Sequence, residues 1–247
     1  TNRVMLRNRR IGCSVSGIAQ FIKDHSLNEF KEWLKEGYIA IQKWDEIYSD
    51  WLAIARSIKT TSVKPSGTIS LLAGATPGLH YPEARYYIRR IRLAKNSDLV
   101  KPLIQAGYKI EDAVGSEADT VVVEIPVDGG EGLREVKEIS MWEQLSLAAF
   151  MQKYWSDNQV SCTVAFDPKI EGDQIEYALN YFQYQLKGIS FLPRHDIGAF
   201  PQMPYEKITE QEYNKINKNI KLLNFDNIMN EEADVEKFCD GDSCIIK

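Results

Sequence analysis

The stretch from residue 160 to residue 192 constrains the fold more than any other part of this sequence. Residues 160–166 read as a strand, residues 171–186 as a helix, and Gly188-Ile-Ser-Phe-Leu192 as a second strand. Strand, helix and strand in that order form a crossover unit, which pairs its two strands in parallel. The body is therefore expected to be α/β, with at least partly parallel pairing. With 44% hydrophobic and 26% charged residues, the chain has enough apolar content for a sizeable core, and wholesale disorder is excluded. No apolar run approaches the ~18 residues of a membrane span, and the first residues lack a signal-peptide pattern. A cytoplasmic protein is the default reading, with no membrane partner.

Other elements follow from caps and periodicity. Ser26-Leu-Asn-Glu29 has capping-box spacing and opens an amphipathic helix carrying Phe30, Trp33 and Leu34. A longer helix follows, with Ile41, Trp44, Ile47, Trp51 and Ile54 at three- and four-residue steps. The stripe of Trp33, Trp44 and Trp51 reads as core. Residues 60–64 and 120–125 read as strands, 86–93 as extended and 98–106 as helical. Ser140-Met-Trp-Glu143 is a second capping box, opening a helix through Tyr154. A polar helix is expected over residues 209–223. The ordered body is expected to end near Tyr205, giving a domain over 1–205 and an arm over 206–247. From Leu222 to Ile246 seven acids face Lys237 alone, so the net charge of -5 belongs to that arm and the rest is nearly neutral.

Three places can carry chemistry. The first is Pro65-Ser-Gly-Thr-Ile-Ser70, directly after the strand at 60–64 and followed by a second loop, Gly74-Ala-Thr-Pro-Gly78. Small residues allow close backbone approach, and a helix starting there would offer unpaired N–H groups and a positive dipole end. Ser66, Thr68 and Ser70 add hydroxyls and Lys64 a charge, a set suited to an anion such as phosphate. It is not a Walker A loop, because the Gly-Lys-Ser/Thr ending is missing. The plain alternative is a strand–turn–helix junction capped by Ser or Thr.

The second is the pair Cys239 and Cys244, separated by four residues that include Gly241. A turn brings such a pair within disulfide reach, but closing so small a loop adds little stability. A reversible dithiol is the favoured reading, against two incidental tail cysteines. Zinc needs four ligands, and only the hard carboxylates of Asp240 and Asp242 lie nearby, so no metal site is expected. The third is Arg85-Tyr-Tyr-Ile-Arg-Arg-Ile-Arg-Leu93. It reads as structural, with internal ion pairing, rather than as a nucleic-acid track. His25, His80 and His195 show no ligand spacing. Cys13 and Cys162 read as small core residues.

With these residues in view, the sequence resembles a known family. Residues 57–82, containing Thr60-Thr-Ser-Val-Lys-Pro-Ser-Gly-Thr-Ile-Ser70 and Ala75-Thr-Pro-Gly-Leu-His-Tyr-Pro82, are similar to the adenosylcobalamin-dependent ribonucleoside-triphosphate reductases, the monomeric class II ribonucleotide reductases. Asn8-Arg-Arg-Ile-Gly12, Tyr86-Tyr-Ile-Arg-Arg90, Tyr154-Trp-Ser-Asp-Asn-Gln-Val-Ser161, Leu186-Lys-Gly-Ile-Ser-Phe-Leu-Pro193 and Pro201-Gln-Met-Pro-Tyr205 resemble it in the same order, as does the terminal cysteine pair. The resemblance spans essentially the whole chain and corresponds to the C-terminal third or so of such an enzyme.

That resemblance implies part of a ten-stranded α/β barrel. It implies that Pro65, Ser66, Gly67, Thr68, Ile69 and Ser70 bind the phosphates of a ribonucleoside triphosphate. It further implies that adenosylcobalamin generates a thiyl radical on a loop cysteine elsewhere. Cys239 and Cys244 would re-reduce the active-site disulfide and be reduced in turn by thioredoxin. The family's radical cysteine lies in Asn-x-Cys-x-Glu, which this sequence lacks; Cys13 and Cys162 have other surroundings. With the chain opening at Thr1 rather than Met, the expectation is a fragment or split-gene product, inactive without an N-terminal partner piece. A non-catalytic nucleotide-binding or assembly module derived from a reductase is the alternative.

Overall fold

The computed structural model describes residues 2–67, 69–116, 118–194 and 201–224. In chain order the elements are α1 (Asn2–Arg7), β1 (Arg10–Cys13), α2 (Ile18–Asp24), α3 (Leu27–Trp51), β2 (Lys59–Thr61), α4 (Ile69–Leu72), β3 (Tyr86–Ala94), α5 (Val100–Gln105), β4 (Lys109–Asp112), β5 (Thr120–Asp128), α6 (Met141–Tyr154), β6 (Thr163–Phe166), α7 (Ile175–Phe182), β7 (Ser190–Pro193), β8 (Tyr205–Lys207) and α8 (Glu210–Asn217). They divide into two compact units. One comprises residues through Tyr81 together with Gly132–Arg194; the other comprises Pro82–Glu131 and the described residues after Arg194.

The first unit holds the expected crossover. β6 and β7 pair in parallel, from Thr163 with Ser190 to Phe166 with Pro193, and α7 connects them. β1 and β2 are also parallel, and an isolated parallel bridge between Val63 and Val160 links the second pair to the first. Helix α6 backs these strands. Met141, Leu145, Ala148 and Met151 are essentially fully buried with Val63, Val160 and Val164, and Phe30 and Leu34 of α3 join the same cluster. Both predicted caps form: Ser140 Oγ accepts from Glu143 N and Ser26 Oγ from Glu29 N, each at 3.1 Å. The two helices expected between residues 26 and 54 are one continuous 25-residue helix, α3.

The aromatic stripe of α3 departs from expectation. Trp33, Trp44 and Trp51 are 62%, 48% and 74% exposed, so they are not core. The side of α3 that packs inward is instead the one carrying Phe30, Leu34 and Ile41. Cys13 is likewise exposed on β1 rather than buried. Cys162 is buried as expected, and burial pushes its thiol up to about 12.

The block Tyr154–Ser161 acts as a bracket on β2. Trp155 Nε1 donates to Ser62 O at 2.9 Å and Thr61 Oγ1 donates to Trp155 O at 2.6 Å. Asp157 accepts from Thr60 N and Thr60 Oγ1, both at 3.0 Å, and from Tyr38 OH at 2.9 Å. Asn158 Nδ2 reaches Thr61 O at 2.8 Å and Ile11 O at 2.9 Å. Partial burial by itself would raise the Asp157 carboxyl, but these donors outweigh it and hold the group below the ordinary aspartate value.

A carboxyl depressed in the folded state stabilises fully above the unfolded value, about 3.9, and loses that contribution as pH falls through the folded value. Asp157→Asn should therefore cost roughly 1–3 kcal/mol at neutral pH. The cost should shrink below about pH 4, and thermal unfolding across pH 2–7 measures both. An equal cost at every pH would contradict the bracket.

The second unit is antiparallel, with strand order β4-β5-β3-β8. β3 and β5 pair along nine residues, from Tyr86 with Asp128 to Ala94 with Thr120. Tyr205, expected to close the body, instead begins β8, which pairs with β3. Thr209 and Glu212 then form a reciprocal capping box for α8. Arg90 supports the ion-pair reading of its segment: it bonds Glu124 through Nε at 3.0 Å and Nη2 at 2.8 Å, and also bonds Glu206. Lys109 adds a 3.0 Å bond to the same Glu124 carboxylate.

Candidate functional site: the loop after strand β2

The polypeptide leaves β2 through Ser62 and Val63 and enters the Pro-Ser-Gly loop at the carboxyl end of a parallel strand. In open α/β sheets that end is where ligands bind. Pro65, Gly67 and Ser70 are buried, Ser66 is half-buried and Ile69 exposed; Thr68 lies outside the described residues. Ser66 has φ 58, in the left-handed region, which costs a non-glycine residue about 1–2 kcal/mol. Its carbonyl is held by Ser70, which donates from Oγ at 2.5 Å and from N at 3.0 Å. The strained turn is thus over-determined from within the loop.

The helix that follows, α4, has only four residues, so the expected macrodipole contribution is slight. The donors that matter are local. Among the described residues, the backbone N–H groups of Gly67 and Ile69 make no hydrogen bond, whereas that of Ser70 is taken by Ser66. Lys64 lies exposed at the loop's entrance.

A second layer holds the loop in place. Residues 14–20 clamp it together with the following loop, 74–78. Ser14 Oγ accepts from Lys64 N at 2.9 Å, and Ser16 Oγ accepts from Gly78 N at 3.3 Å. Gln20 spans the second loop, donating from Nε2 to Gly74 O and accepting at Oε1 from Thr76 N, both at 2.9 Å. Gly17 N donates to Thr76 O at 2.9 Å, and Ala75 N to Ser70 O at 2.8 Å. Gly78 meets the loop most closely: with φ +51, a Cβ there would overlap Lys64 O and lie 3.4 Å from Pro65 Cα.

Sequence reasoning found the loop and its successor but missed the clamp. Ser14, Ser16 and Gln20 are ordinary polar residues in sequence, and their partners lie 50–62 residues away. The structure gives His80 a structural role. Its Nδ1 lies 3.2 Å from Pro77 O, while Nε2 accepts from Thr163 N at 3.2 Å, which places the proton on Nδ1. His25 stacks on Phe21 at 4.4 Å and bonds Glu29 at 3.1 Å. His195, Cys239 and Cys244 lie outside the described residues. Among the described residues no group of three His, Cys, Asp or Glu side chains is placed to hold a metal ion, and no helix is long and apolar enough to cross a membrane.

No family model matches the chain. Curated proteins do. It is 57% identical over 250 residues to a probable adenosylcobalamin-dependent ribonucleoside-triphosphate reductase of Dictyostelium discoideum, covering 100% of the chain and 33% of that protein. It is 56% identical over 250 residues to the adenosylcobalamin-dependent ribonucleoside-triphosphate reductase of Euglena gracilis, covering 99% and 34%. The corresponding enzyme of Lactobacillus leichmannii is 34% identical over 284 residues, with 100% and 38% covered. Among solved structures, the crystal structure of a B12-dependent, class II ribonucleotide reductase superposes with a TM-score of 0.74 at 32% identity, covering 89% of this chain and 34% of that one. The chain therefore spans about a third of the length of the curated relatives it matches.

Proposed function

Because this chain belongs, along its whole length, with the adenosylcobalamin-dependent ribonucleoside-triphosphate reductases, we propose that it is the phosphate-anchoring and re-reducing part of such an enzyme. The reaction is conversion of a ribonucleoside triphosphate to its 2'-deoxy counterpart by thiyl-radical chemistry. Asn-x-Cys-x-Glu does not occur in this sequence, so the radical cysteine belongs to the other two-thirds of the polypeptide. The terminal cysteine pair supports reading this segment as its C-terminal portion.

The observation that carries the reading is the strained loop at the end of β2. The backbone N–H groups of Gly67 and Ile69 make no hydrogen bond among the described residues, and they lie with the Ser66 hydroxyl in a turn fixed from within by Ser70 and clamped from behind. Preorganised donors of this kind hold an anion without reorganising when it arrives. They fix the triphosphate, and so the ribose, against the reacting thiols.

Cys239 and Cys244 act by thiol–disulfide exchange. One tail thiolate attacks a sulfur of the oxidised active-site pair, forming a mixed disulfide. The second tail thiolate then displaces the remaining active-site sulfur. The tail pair loses two electrons and becomes a disulfide; the active-site pair gains them, with two protons, as a dithiol. Thioredoxin reduces the tail pair by the same exchange.

Adenosylcobalamin supplies the radical in this class of enzyme. No residue of this segment is assigned to the cofactor.

The test is reassembly. The chain is mixed with the separately produced remainder of the Dictyostelium discoideum relative, with ribonucleoside triphosphate, adenosylcobalamin and a reducing system. Deoxynucleotide should form only in the mixture. Turnover by the chain alone overturns the proposal. Nucleotide binding by the mixture without any turnover favours a non-catalytic module.

A further inference from the structure

We infer that His80 is a positioning residue for the phosphate loop: its imidazole takes the place of the β2 backbone on the edge of β6 and so fixes where the Pro-Ser-Gly loop leaves the sheet. The inference rests on the reading above, that this loop holds the substrate's phosphates, and adds the residue that sets its place.

Successive residues of a strand direct their N–H and C=O groups to opposite edges. The even-numbered residues of β6 serve β7: Cys162 O accepts from Ser190 N at 3.2 Å and Phe166 O from Arg194 N at 2.8 Å. The odd-numbered residues face β2. Backbone meets backbone on that edge where Ser161 N donates to Val63 O at 2.8 Å, beside the Val63–Val160 bridge. Pro65 comes two residues later and has no N–H to give, so the ladder stops. Side chains then take the positions in turn. Thr163 N donates to His80 Nε2 at 3.2 Å, Ala165 N to Gln144 Oε1 at 3.0 Å and Asp167 N to Glu171 Oε2 at 2.9 Å. Gln144 Nε2 also donates to Ala165 O at 2.8 Å. An open edge would offer a row of unpaired groups to the polypeptide that follows Val63. With the edge filled, that polypeptide turns away as the Pro-Ser-Gly loop.

Gln144 belongs to α6 and Glu171 to the turn after β6, whereas His80 belongs to the turn that carries Gly78. His80 N donates to Pro77 O at 2.9 Å, and Nδ1 lies 3.2 Å from the same carbonyl. Gly78, inside that turn, rests on the start of the loop so closely that a Cβ would lie 2.4 Å from Lys64 O. One ring therefore spans from β6 to the turn that braces Lys64 and Pro65. The task needs a short, rigid side chain with a donor on one side and an acceptor on the other, which neutral imidazole supplies.

The test is steady-state kinetics of the reassembled reductase with ribonucleoside triphosphate, using inorganic triphosphate as a competing probe of the phosphate site alone. His80→Leu keeps bulk but removes both ring bonds. It should raise KM and the inhibition constant of inorganic triphosphate together, by roughly 30-fold. His80→Gln, which retains a donor and an acceptor, should return both to within about 3-fold of the unsubstituted chain. Gln144→Leu removes the neighbouring edge bonds outside the loop's clamp, so it should lower the melting temperature and leave both constants unchanged. Loss of folded protein reduces the number of active sites but neither constant, which separates positioning from stability. His80→Leu with unaltered constants, or Gln144→Leu shifting them equally, overturns the proposal. His80→Gln as impaired as His80→Leu overturns its hydrogen-bond basis. Failure of inorganic triphosphate to inhibit the unsubstituted enzyme overturns instead the assignment of the loop to phosphate.

Discussion

Gly78→Ala should lower kcat/KM for ribonucleoside triphosphate by about 100-fold in the reassembled reductase, and Gly74→Ala should leave it nearly unchanged. Both glycines have positive φ, at 51 and 66 degrees, so alanine strains the backbone at either position, by about 1–2 kcal/mol. Only their surroundings differ. A Cβ at Gly74 meets nothing within 4 Å, whereas one at Gly78 overlaps Lys64 O and crowds the Lys64 carbonyl carbon at 3.2 Å and Pro65 Cα at 3.4 Å. Those are backbone atoms, which cannot swing aside as a side chain could. The start of the Pro-Ser-Gly loop must move, and, if that loop holds the substrate as proposed, a misplacement of about 1 Å can cost about 100-fold in rate. Steady-state kinetics of the two variants separates loop placement from general destabilisation. Equal losses at both positions would mean that the clamp stabilises the fold without positioning substrate.

Much of the site was legible because its signals are local. Pro-Ser-Gly after a β-branched run marks a turn whatever surrounds it. The cap residues Ser26 and Ser140 perform in the structure the roles their spacing predicts. The crossover from β6 to β7 was legible for a similar reason, since apolar runs separated by a helix-length segment leave few topologies. What stayed hidden depends on distance. Gln20 reaches Thr76 across 56 residues, and Ser14 reaches Lys64 across 50. No local pattern encodes a side chain bonding to a remote backbone.

The α3 stripe failed for another reason. Periodicity tells which residues share a side of a helix but not whether anything covers that side. Trp44 and Trp51 line up as a core stripe would, yet the apolar cover for them is not provided by the described residues. Cys13 is similar: it follows the apolar Ile11 but sits on an exposed edge strand. In both cases the composition is that of an interior and the location is that of a surface.

Replacing either tail cysteine should have the other large effect. With Cys239→Ser or Cys244→Ser, the first reduction of substrate proceeds, because the active-site dithiol is already present. It leaves an active-site disulfide that nothing can reopen. A single tail thiolate can attack that disulfide, but without its neighbour it cannot release the mixed disulfide by intramolecular displacement. Turnover supported by thioredoxin should stop after one cycle. The buried Cys162 cannot substitute, since a thiol pushed up to about 12 supplies almost no thiolate at neutral pH.

The deciding measurement is the number of deoxynucleotides formed per reassembled enzyme, by rapid quench with thioredoxin present. The proposed roles predict many for the unsubstituted chain, one for Cys239→Ser, and none when this chain is omitted. Continued multiple turnover by Cys239→Ser, or product formed without this chain, would contradict them.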